Sequence, residues 1–531
     1  MTASLHNASL RHARHYLQML GQADELYLAG GDSLSRGLNL FDEEWQNIQS
    51  GQTWAERFAS ENSDAARCCS AYANAGAVIF GFRLHPHELL RWLRSALAVA
   101  RQYGDQSSEA VHLANIGFAH SSLGETQRAI EFFKQSLALY RSTNNRQGES
   151  DALGSLGNAY LDVGESDKAI EHHEERLQLV RSIGDKRGEA KALGNLGNYY
   201  YAISDFRRAV EYHDQSLLID RELGNRRGEG ASLSSLGLAY FAFGETQRAV
   251  EFYEQALAID REVKDARGES ADLGNLGLAY ARVGQIRRAI ECYERQLEIS
   301  RSINDRQLEA LAYGNLGNAR ADLGDSEKAR ENYERQLAIA RDISDRRSES
   351  IALSNIGNVS ASSGDPERAI ELHEQALAID REIKNRQGEA ADLANLGNAW
   401  LKLGDRQRAE DCYQQVLTLS CDNGDRKGKA VALTNLGMIR MAIGEPEPAV
   451  KLLEQSLVIN HEIGDRRGEG QALSGLSLAC QKLGELSRAL EYAEMGLQVF
   501  EEIEDPRAEM VRGFIAELRA ESEKKWWQFW K

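Results

Sequence analysis

Asparagine residues recur along the chain in two series whose members lie 40 residues, or a multiple of 40, apart. The first series is Asn115, Asn195, Asn275, Asn315, Asn355, Asn395 and Asn435, and the second is Asn158, Asn198, Asn318, Asn358 and Asn398. Asparagine is disfavoured inside helices because its amide competes for backbone hydrogen bonds, so its recurrence suggests that the amide is used. An amide offers two donors and an acceptor, which matches a peptide group, so a ladder of amides could hold an extended chain.

Two interpretations of these asparagines remain open. The amides bind a ligand, or they tie neighbouring helices together. The densest paired stretch runs from Asn315 to Asn398, so we expect the core of a ligand site there. A small residue precedes each first-series asparagine, for example Gly194 and Gly314, and would let a ligand come close.

The sequence contains no complete catalytic or metal-binding motif. The segment 424–430 superficially resembles a phosphate-binding loop, but it has three residues where that loop needs four and no Ser/Thr follows its lysine. His172 and His173 are adjacent, yet His173 occupies the position that Phe133 and Tyr253 fill in other copies, which indicates a core residue. We therefore expect no enzyme activity, no metal and no cofactor.

The asparagines lie within a 40-residue unit, of which residues 185–224 are one copy. The pair Leu196-Gly197 returns in nearly every copy, and about ten copies follow one another without insertion between residues 107 and 506. Gly184 followed by Asp185 predicts the end of one helix and the N-cap of the next. Each unit therefore reads as two helices, helix A and then helix B. A glycine within helix A, such as Gly197, implies close helix approach.

These positions resemble the tetratricopeptide repeat. One copy carries the family framework at Leu153, Leu156, Gly157, Tyr160, Ala169 and His173. The 40-residue length and the wording Gly-Asn-Leu-Gly-Asn are most similar to the Pins/LGN-type repeats. The resemblance implies an all-α, right-handed superhelix of about ten helix-turn-helix repeats with helical caps. It also implies that helix A lines a concave groove, which makes Asn195, Asn198, Asn275, Asn315, Asn318, Asn355, Asn358, Asn395, Asn398 and Asn435 candidate peptide-binding residues.

The ends of the chain depart from the repeat. Residues 1–64 do not follow the repeat. The stretch from His15-Tyr16-Leu17 through residues 41–48 to Trp54-Ala55 resembles the helical linker before the repeat sensors of bacterial STAND (NB-ARC-type) signalling proteins. Residues 1–64 also suit an N-terminal cap with core tryptophans, and both can be true. Residues 65–106 form a degenerate repeat, with helices predicted over Ala71–Phe82 and Glu88–Tyr103. A capping helix is expected at 507–523.

The last eight residues, 524–531, form an aromatic and basic tail. Its aromatic residues are Trp526, Trp527, Phe529 and Trp530. Contiguous apolar side chains of this kind usually mark an interaction site. Three destinations are open: a partner protein, the last repeats of the chain itself, or peripheral contact with a membrane interface, where Trp beside Lys is favoured.

Composition narrows the class of protein. The net charge of −18 argues against nucleic-acid binding, which needs positive surface for phosphates. The six cysteines show no metal-type spacing and indicate reduced thiols. The sequence contains no signal-peptide pattern and no apolar run long enough to span a membrane, so we expect a cytoplasmic protein.

The function that these features favour is a scaffold or adaptor that binds an extended peptide or partner segment in the groove. The alternative is the sensor or regulatory subunit of a STAND-like bacterial signalling or defence system that acts on a separately encoded enzyme. Cations on the same side of helix A (Arg282, Lys402 and Lys482) are opposed by Asp162 and Asp322, so the charge of the ligand stays undefined.

Overall fold

A computed structural model describes residues 3–29, 32–76, 78–84 and 86–529 of the chain. Every regular element in these ranges is a helix, and the prediction of an all-α fold is confirmed. The chain divides into two compact units, unit 1 (Met1–Ile299) and unit 2 (Ser300–Lys531).

The helices of unit 1 are long except for one short turn. They are α1 (Ala3–Ala29), α2 (Asp32–Phe58), α3 (Ser63–Ala75), α4 (Phe80–Arg83), α5 (Pro86–Tyr103), α6 (Gln106–Ser122), α7 (Thr126–Ser142), α8 (Arg146–Asp162), α9 (Ser166–Ser182), α10 (Lys186–Ala202), α11 (Phe206–Glu222), α12 (Arg226–Phe243), α13 (Thr246–Val263), α14 (Ala266–Arg282) and α15 (Ile286–Ser302), in which the unit ends.

Unit 2 continues the same alternation of helix A and helix B. Its helices are α16 (Arg306–Asp322), α17 (Ser326–Asp342), α18 (Arg346–Ser362), α19 (Pro366–Glu382), α20 (Arg386–Leu403), α21 (Arg406–Asn423), α22 (Arg426–Ala442), α23 (Pro446–Ile463), α24 (Arg466–Lys482), α25 (Leu486–Glu502) and α26 (Arg507–Phe529).

Local signals in the sequence set the ends of these helices. Asp185 caps α10, because its Oδ1 accepts a hydrogen bond from the amide of Gly188 at 2.9 Å. Gly184, which precedes this cap, has a φ of +72°, so the predicted C-terminal glycine is confirmed. Ser204 takes the same left-handed conformation without being glycine, with a φ of +64°, at a cost of roughly 1 kcal/mol.

The two helices of a repeat approach closely where the sequence places glycine. A Cβ added at Gly197 would lie 2.5 Å from Cε1 of His213, which is itself buried in the core. In other repeats the equivalent glycine faces a tyrosine ring, as Gly317 faces Tyr333. The missing side chain thus makes room for a ring from helix B, and the expected close approach is confirmed.

Successive repeats are joined by a recurring ion pair. Glu229, at the start of α12, is buried between Arg221 of the preceding helix B, at 2.8 Å, and Arg226. Burial alone would raise the pKa of Glu229, but the hydrogen bonds from the two arginines outweigh it and the pKa is lowered. The same two ion pairs, one to the preceding helix B and one within helix A, are made by Glu149, Glu189, Glu309, Glu349 and Glu389.

The N-terminal helices pack against the degenerate repeat. The ring of Trp45 in α2 stacks on that of Trp92 in α5, with centroids 5.7 Å apart, as expected for a cap. The helix predicted over Ala71–Phe82 is wrong, since α3 spans Ser63–Ala75. Asn62 caps α3 by accepting from the amides of Asp64 and Ala65, and the helix ends at Gly76.

Candidate functional site

In unit 2, the exposed side of helix A repeats one pattern, which we call the unit 2 face. An aliphatic residue comes first, at Leu311, Ile351, Ala391 and Val431; Leu311 is 50% exposed and Ile351 45%. One helical turn later comes the first asparagine, at Asn315, Asn355, Asn395 and Asn435, and then the second, at Asn318, Asn358 and Asn398. The first asparagines are half-buried, apart from the buried Asn315, and the second are exposed. Seven of the ten predicted groove residues therefore share this face.

Two of the exposed asparagines are held by a tyrosine of the same repeat. The hydroxyl of Tyr333 in α17 donates to Oδ1 of Asn318 at 2.7 Å, and Tyr413 in α21 donates to Oδ1 of Asn398 at 2.7 Å. Each amide oxygen thereby accepts one hydrogen bond and the orientation of the amide is set, which leaves the NH₂ group as the available donor. Asn358 lacks this contact, because His373 occupies the position of the tyrosine.

Two asparagines of the first series make hydrogen bonds within the protein, one between helices and one within a helix. Nδ2 of Asn115 donates to Oδ1 of Asn74, on α3, at 3.2 Å. Nδ2 of Asn435 donates to the carbonyl of Val431 in its own helix at 3.0 Å. Asn115 thus ties two helices together, whereas the bond of Asn435 stays within its own helix.

The small residues before the asparagines serve mainly to admit protein side chains. A Cβ added at Gly314 would lie 2.7 Å from Nε2 of Gln336, and one added at Gly274 would lie 2.7 Å from Nε2 of Gln296. Gly194 differs, since only Ser216 Oγ, at 3.8 Å, lies near its added Cβ. The interpretation that these glycines leave space for a ligand is therefore wrong at 274 and 314, where helix B fills the space, and is retained at 194.

Gly194 opens onto a cleft across α9 to α12 in unit 1, which we call the unit 1 cleft. Its volume is about 700 Å³. Four cationic side chains and one carboxylate line it, namely Arg176, Arg187, Lys191, Arg227 and Asp220. The predicted groove residues Asn195 and Asn198 line the same cleft. The remaining predicted residue, Asn275 in α14, lies outside this lining and hydrogen-bonds to the carboxylate of Asp272.

Arg176 forms the buried wall of the unit 1 cleft. The residue is 7% exposed, and its guanidinium lies beneath Gly154, where an added Cβ would be 2.6 Å from Nη1. Its Nε donates to Ser150 Oγ at 3.3 Å, and the carboxylate of Asp151 is 3.9 Å from Nη2. Burial lowers the pKa of Arg176 and Asp151 opposes this shift. A cation is thus buried with only a distant counter-charge.

The other ionisable groups of the cleft differ in exposure. Arg187 and Lys191 are exposed and make no ion pair with a described residue, whereas Arg227 Nε lies 3.5 Å from Asp265. Asp220 is buried and accepts from Asn225 Nδ2 at 2.7 Å; burial raises the pKa of Asp220.

Histidine adds no charge to the cleft at neutral pH. His213 is buried in its wall, and burial lowers the pKa of His213 to about 4. The imidazole is therefore neutral near pH 7, and the positive charge of the cleft comes from arginine and lysine alone.

A buried aspartate occurs in the same register in each unit. In unit 1, Asp272 is 2% exposed and accepts from Ser234 Oγ at 2.8 Å. Burial, together with the nearby carboxyl of Asp260, raises the pKa of Asp272 to about 8, although the bond from Ser234 opposes the shift. The buried site therefore favours the protonated carboxyl.

In unit 2, the corresponding Asp392 contacts a serine and a histidine, which are residue types of hydrolytic triads. Ser354 Oγ donates to Asp392 Oδ1, and His373 Nδ1 is 3.1 Å from the same oxygen. Ser354 and Asp392 both lie on the Nδ1 side of the imidazole, while Nε2 faces Gly357. A relay needs the serine and the carboxylate on opposite ring nitrogens, so this trio cannot activate the serine.

The three cations that the sequence places beside the asparagines are engaged in the fold. Nη1 of Arg282 donates to the carbonyl of Phe241 at 2.9 Å, and Nζ of Lys402 donates to the carbonyl of Ala361 at 2.8 Å. Lys482 makes a similar, longer contact to Met441 at 3.4 Å. Each cation thus satisfies the C-terminal carbonyls of the preceding helix A, where positive charge is favoured.

Sequence reasoning missed the unit 1 cleft, although a signal for it exists. Positions that lie 40 residues apart occupy equivalent places in successive repeats, and we call each such set a register. Arg176 is the charged member of its register. That register otherwise reads Ser136, Ser216, Ala256, Gln296, Gln336, Ala376, Val416, Ser456 and Gly496. A charged residue at a core position of helix B, followed by Lys191 on the next helix A, would have indicated the cleft.

The aromatic side chains of the tail lie outside the described part of the structure. The backbone of α26 is helical to Phe529, but the side chains of Trp526, Trp527 and Phe529 are not described, and neither is Trp530. Within the described ranges, no three His, Cys, Asp or Glu side chains are grouped so that they could hold a metal ion. No helix in those ranges combines the length and apolar character needed to cross a membrane.

Comparison with protein families agrees with this geometry. The tetratricopeptide repeat model matches residues 71–142, 149–222, 207–262, 270–342, 348–422 and 428–502, which is more than half of the chain. The chain therefore belongs to the tetratricopeptide repeat family. No curated protein matches the sequence significantly.

Several solved structures have a similar fold. The repeat sensor protein from Pyrococcus horikoshii, a signal transduction ATPase with numerous domains (STAND), has 15% identity and a TM-score of 0.49, over 72% of this chain and 57% of that one. The quorum sensor NprR from B. thuringiensis has 15% identity and a TM-score of 0.46, over 64% and 99%. BtubC from P. vanneervenii has 22% identity and a TM-score of 0.38, over 41% and 92%. At these identities the likeness concerns the fold alone.

Proposed function

We propose that this protein is a non-enzymatic cytoplasmic scaffold that binds an extended segment of a partner protein on the unit 2 face. The observation that carries this proposal is the pairing of Tyr333 with Asn318 and of Tyr413 with Asn398. Each pair presents an oriented NH₂ donor beside an exposed aliphatic side chain. A donor for peptide carbonyls and an apolar contact for side chains are the two things that an extended segment requires.

The spacing of the face favours one backbone conformation for that segment. In unit 2, α18 contacts both α16 and α20, and packed helices lie about 8–10 Å apart. A polyproline II segment advances about 3.1 Å per residue with three residues per turn, so every third side chain returns to the same side after about 9 Å. A β-strand alternates sides and would turn every other such residue away. The partner therefore carries an apolar side chain at every third residue, to meet Leu311, Ile351 and Val431.

Binding of two labelled peptides tests this proposal. One 12-residue peptide carries leucine at every third position and the other at every second, with glutamine elsewhere. We expect the full chain to prefer the first by about tenfold, as judged by fluorescence anisotropy. The triple variant Asn318→Ala, Asn358→Ala, Asn398→Ala should lose most of this binding. Its fold should persist, because the better helix propensity of alanine offsets part of the two hydrogen bonds lost from Tyr333 and Tyr413.

The control for this experiment is Asn158→Ala, a second-series asparagine of unit 1, which should leave binding unchanged. Binding that survives the triple change while Tm falls would show that the asparagines are structural ties. Equal binding of the two peptides, or binding of neither, would contradict the three-residue spacing.

A second candidate function is regulation of a separately encoded enzyme in a STAND-like bacterial signalling system. The observation that favours it is the resemblance of residues 15–55 to the linker of those proteins. Co-purification of the chain with an ATPase from its native cell would support this role. Recovery of partners without nucleotide-hydrolysing activity would count against it.

The C-terminal tail is the second docking element of the proposed scaffold. Trp526, Trp527, Phe529 and Trp530 anchor a partner protein rather than the chain itself or a membrane. Deletion of 524–531 should abolish one interaction and change the free energy of unfolding by less than about 1 kcal/mol. A much larger loss of stability would show that these side chains complete the C-terminal cap.

A further inference from the structure

Positive charge converges at one place in the repeats of unit 1. Arg176 is the charged member of its helix-B register, and Lys191 is the cation of a helix-A register that otherwise reads Val111, Asp151, Ala231, Ala271, Leu311, Ile351, Ala391, Val431 and Gln471. Arg187 and Arg227 flank them on the same lining. The repeat does not require these charges, because other copies fold with neutral residues in the same positions.

Burial of one of these cations points to a ligand. A buried charge is costly unless a counter-charge lies close to it, and for Arg176 the nearest carboxylate, that of Asp151, is 3.9 Å away. Arg187 and Lys191 have no ion pair with a described residue. Four cations and one carboxylate, Asp220, thus line the cleft next to the amides of Asn195 and Asn198. Asp151, which lies near Arg176 and Lys191, and Asp265, which lies near Arg227, offset part of this positive charge.

We propose that the unit 1 cleft binds an acidic peptide segment, whose carboxylates contact Arg176, Lys191 and the two flanking arginines. This site is separate from the unit 2 face and does not depend on it. The volume of about 700 Å³ suits a few residues of a peptide. The overall charge of −18 disfavours a long polyanion such as a nucleic acid, which would extend beyond the cleft.

The test uses two fluorescein-labelled peptides, (Glu-Gly)₄ and (Gln-Gly)₄, and the full chain. We expect the acidic peptide to bind at least about tenfold more tightly and to weaken as salt rises from about 50 to 200 mM. The double variant Lys191→Ala, Arg227→Gln takes residues found in the same registers at Ala231 and Gln307, and should reduce binding by about tenfold. Arg176→Gln, as at Gln296, should do the same.

The matched control is Arg347→Gln, which has the register of Arg227 but lies in unit 2 and should bind as the wild type does. Because Arg176 is buried, its variant is judged by circular dichroism as well, and the exposed Lys191 and Arg227 variant decides the matter if Arg176→Gln unfolds. Equal or absent binding of both peptides would overturn the proposal. So would displacement of the acidic peptide by inorganic phosphate as readily as by unlabelled peptide, which would indicate a site for small anions.

Discussion

The unit 1 cleft and the unit 2 face occupy the same side of helix A and differ through very few positions. In one register, unit 1 carries Lys191 where unit 2 carries Leu311, Ile351 and Val431. The Leu-Gly pair and the capping aspartates are shared by both regions. The residues that build the hairpin thus leave this exposed register free, and the register contributes to whether a repeat offers charge or apolar surface.

The ring that packs under the glycine of the Leu-Gly pair makes a second difference between the cleft and part of the unit 2 face. In the cleft this ring is the imidazole of His213, opposite Asn198, whereas in two repeats of the unit 2 face it is a phenol, that of Tyr333 opposite Asn318 and that of Tyr413 opposite Asn398. The repeat between these two has the imidazole of His373, opposite Asn358. Both rings fill the space that glycine provides, but only the phenol has a hydroxyl that reaches the asparagine, at 2.7 Å. A core substitution that is neutral for packing therefore changes how the surface amide is presented.

The strongest way to break the shared architecture is to fill the glycine position. A Cβ at Gly317 would lie 2.6 Å from Cδ1 of Tyr333, so Gly317→Leu must push helices A and B apart. We expect a loss of about 3 kcal/mol from overpacking. Hydrogen exchange should rise mainly in the repeats near residue 317, because a repeat contacts only its neighbours.

Gly194→Ala is the matched control for that change. Only Ser216 Oγ lies near its added Cβ, at 3.8 Å, so the methyl group fits and helix propensity should stabilise unit 1 by about 0.8 kcal/mol. Loss of protection from end to end in Gly317→Leu would show that the repeats unfold as one body. Destabilisation by Gly194→Ala would show that the cleft is more tightly closed than its geometry indicates.

The fold could be predicted from the sequence because its information is local and repeated. The cap at Asp185 and the close approach at Gly197 follow from a few adjacent residues. The bounds of α3 differ from the prediction. Its start follows from a local cap, Asn62, whereas its end depends on distant contacts. Asp24 Oδ1 accepts from the amides of Val78 and Ile79, more than 50 residues away, and so holds the segment after Gly76 outside a long helix.

For the candidate site, the sequence predicted only the register of the asparagines in the repeat. The 40-residue spacing placed the asparagines on one side of helix A, but it could not show which atom of each amide is free. That depends on the side chain of Tyr333, 15 residues further on. The cleft likewise depends on Arg176 lying buried beneath Gly154 in the preceding helix A; the sequence marks the unusual charge at 176 but not its burial.

The two buried aspartates of one register have different neighbours, and the pH dependence of stability tests this difference between the units. Asp272 in unit 1 lies beside the carboxyl of Asp260, whereas Asp392 in unit 2 contacts His373. The folded chain holds a proton on Asp272, whose pKa burial raises to about 8, while an unfolded aspartate has a pKa near 4. The stability that this proton contributes is fully present below about pH 4 and is lost as pH rises through about 8.

Asp272→Asn removes this titration and keeps the shape of the side chain. Between pH 6 and 8, we expect the free energy of unfolding of the variant to fall by about 2 kcal/mol less than that of the wild type. Urea denaturation at several pH values measures the difference. Asp322→Asn, at an exposed position of unit 2, controls for the effect of the substitution itself. Parallel profiles for the wild type and Asp272→Asn would mean that Asp272 is ionised throughout this range.

The smallest effect should come from removing the hydroxyls of Tyr333 and Tyr413. Tyr333→Phe with Tyr413→Phe keeps both rings in the glycine positions and frees the amides of Asn318 and Asn398 to rotate. One hydrogen bond contributes about 1 kcal/mol, so binding of the leucine-every-third peptide should weaken by about fivefold. Tyr253→Phe is the control, since its ring packs under Gly237 in a repeat whose second-asparagine position is Leu238. It should leave peptide binding unchanged. Unchanged binding in the double variant would show that the amides need no orientation, and the difference between phenol and imidazole would then concern packing alone.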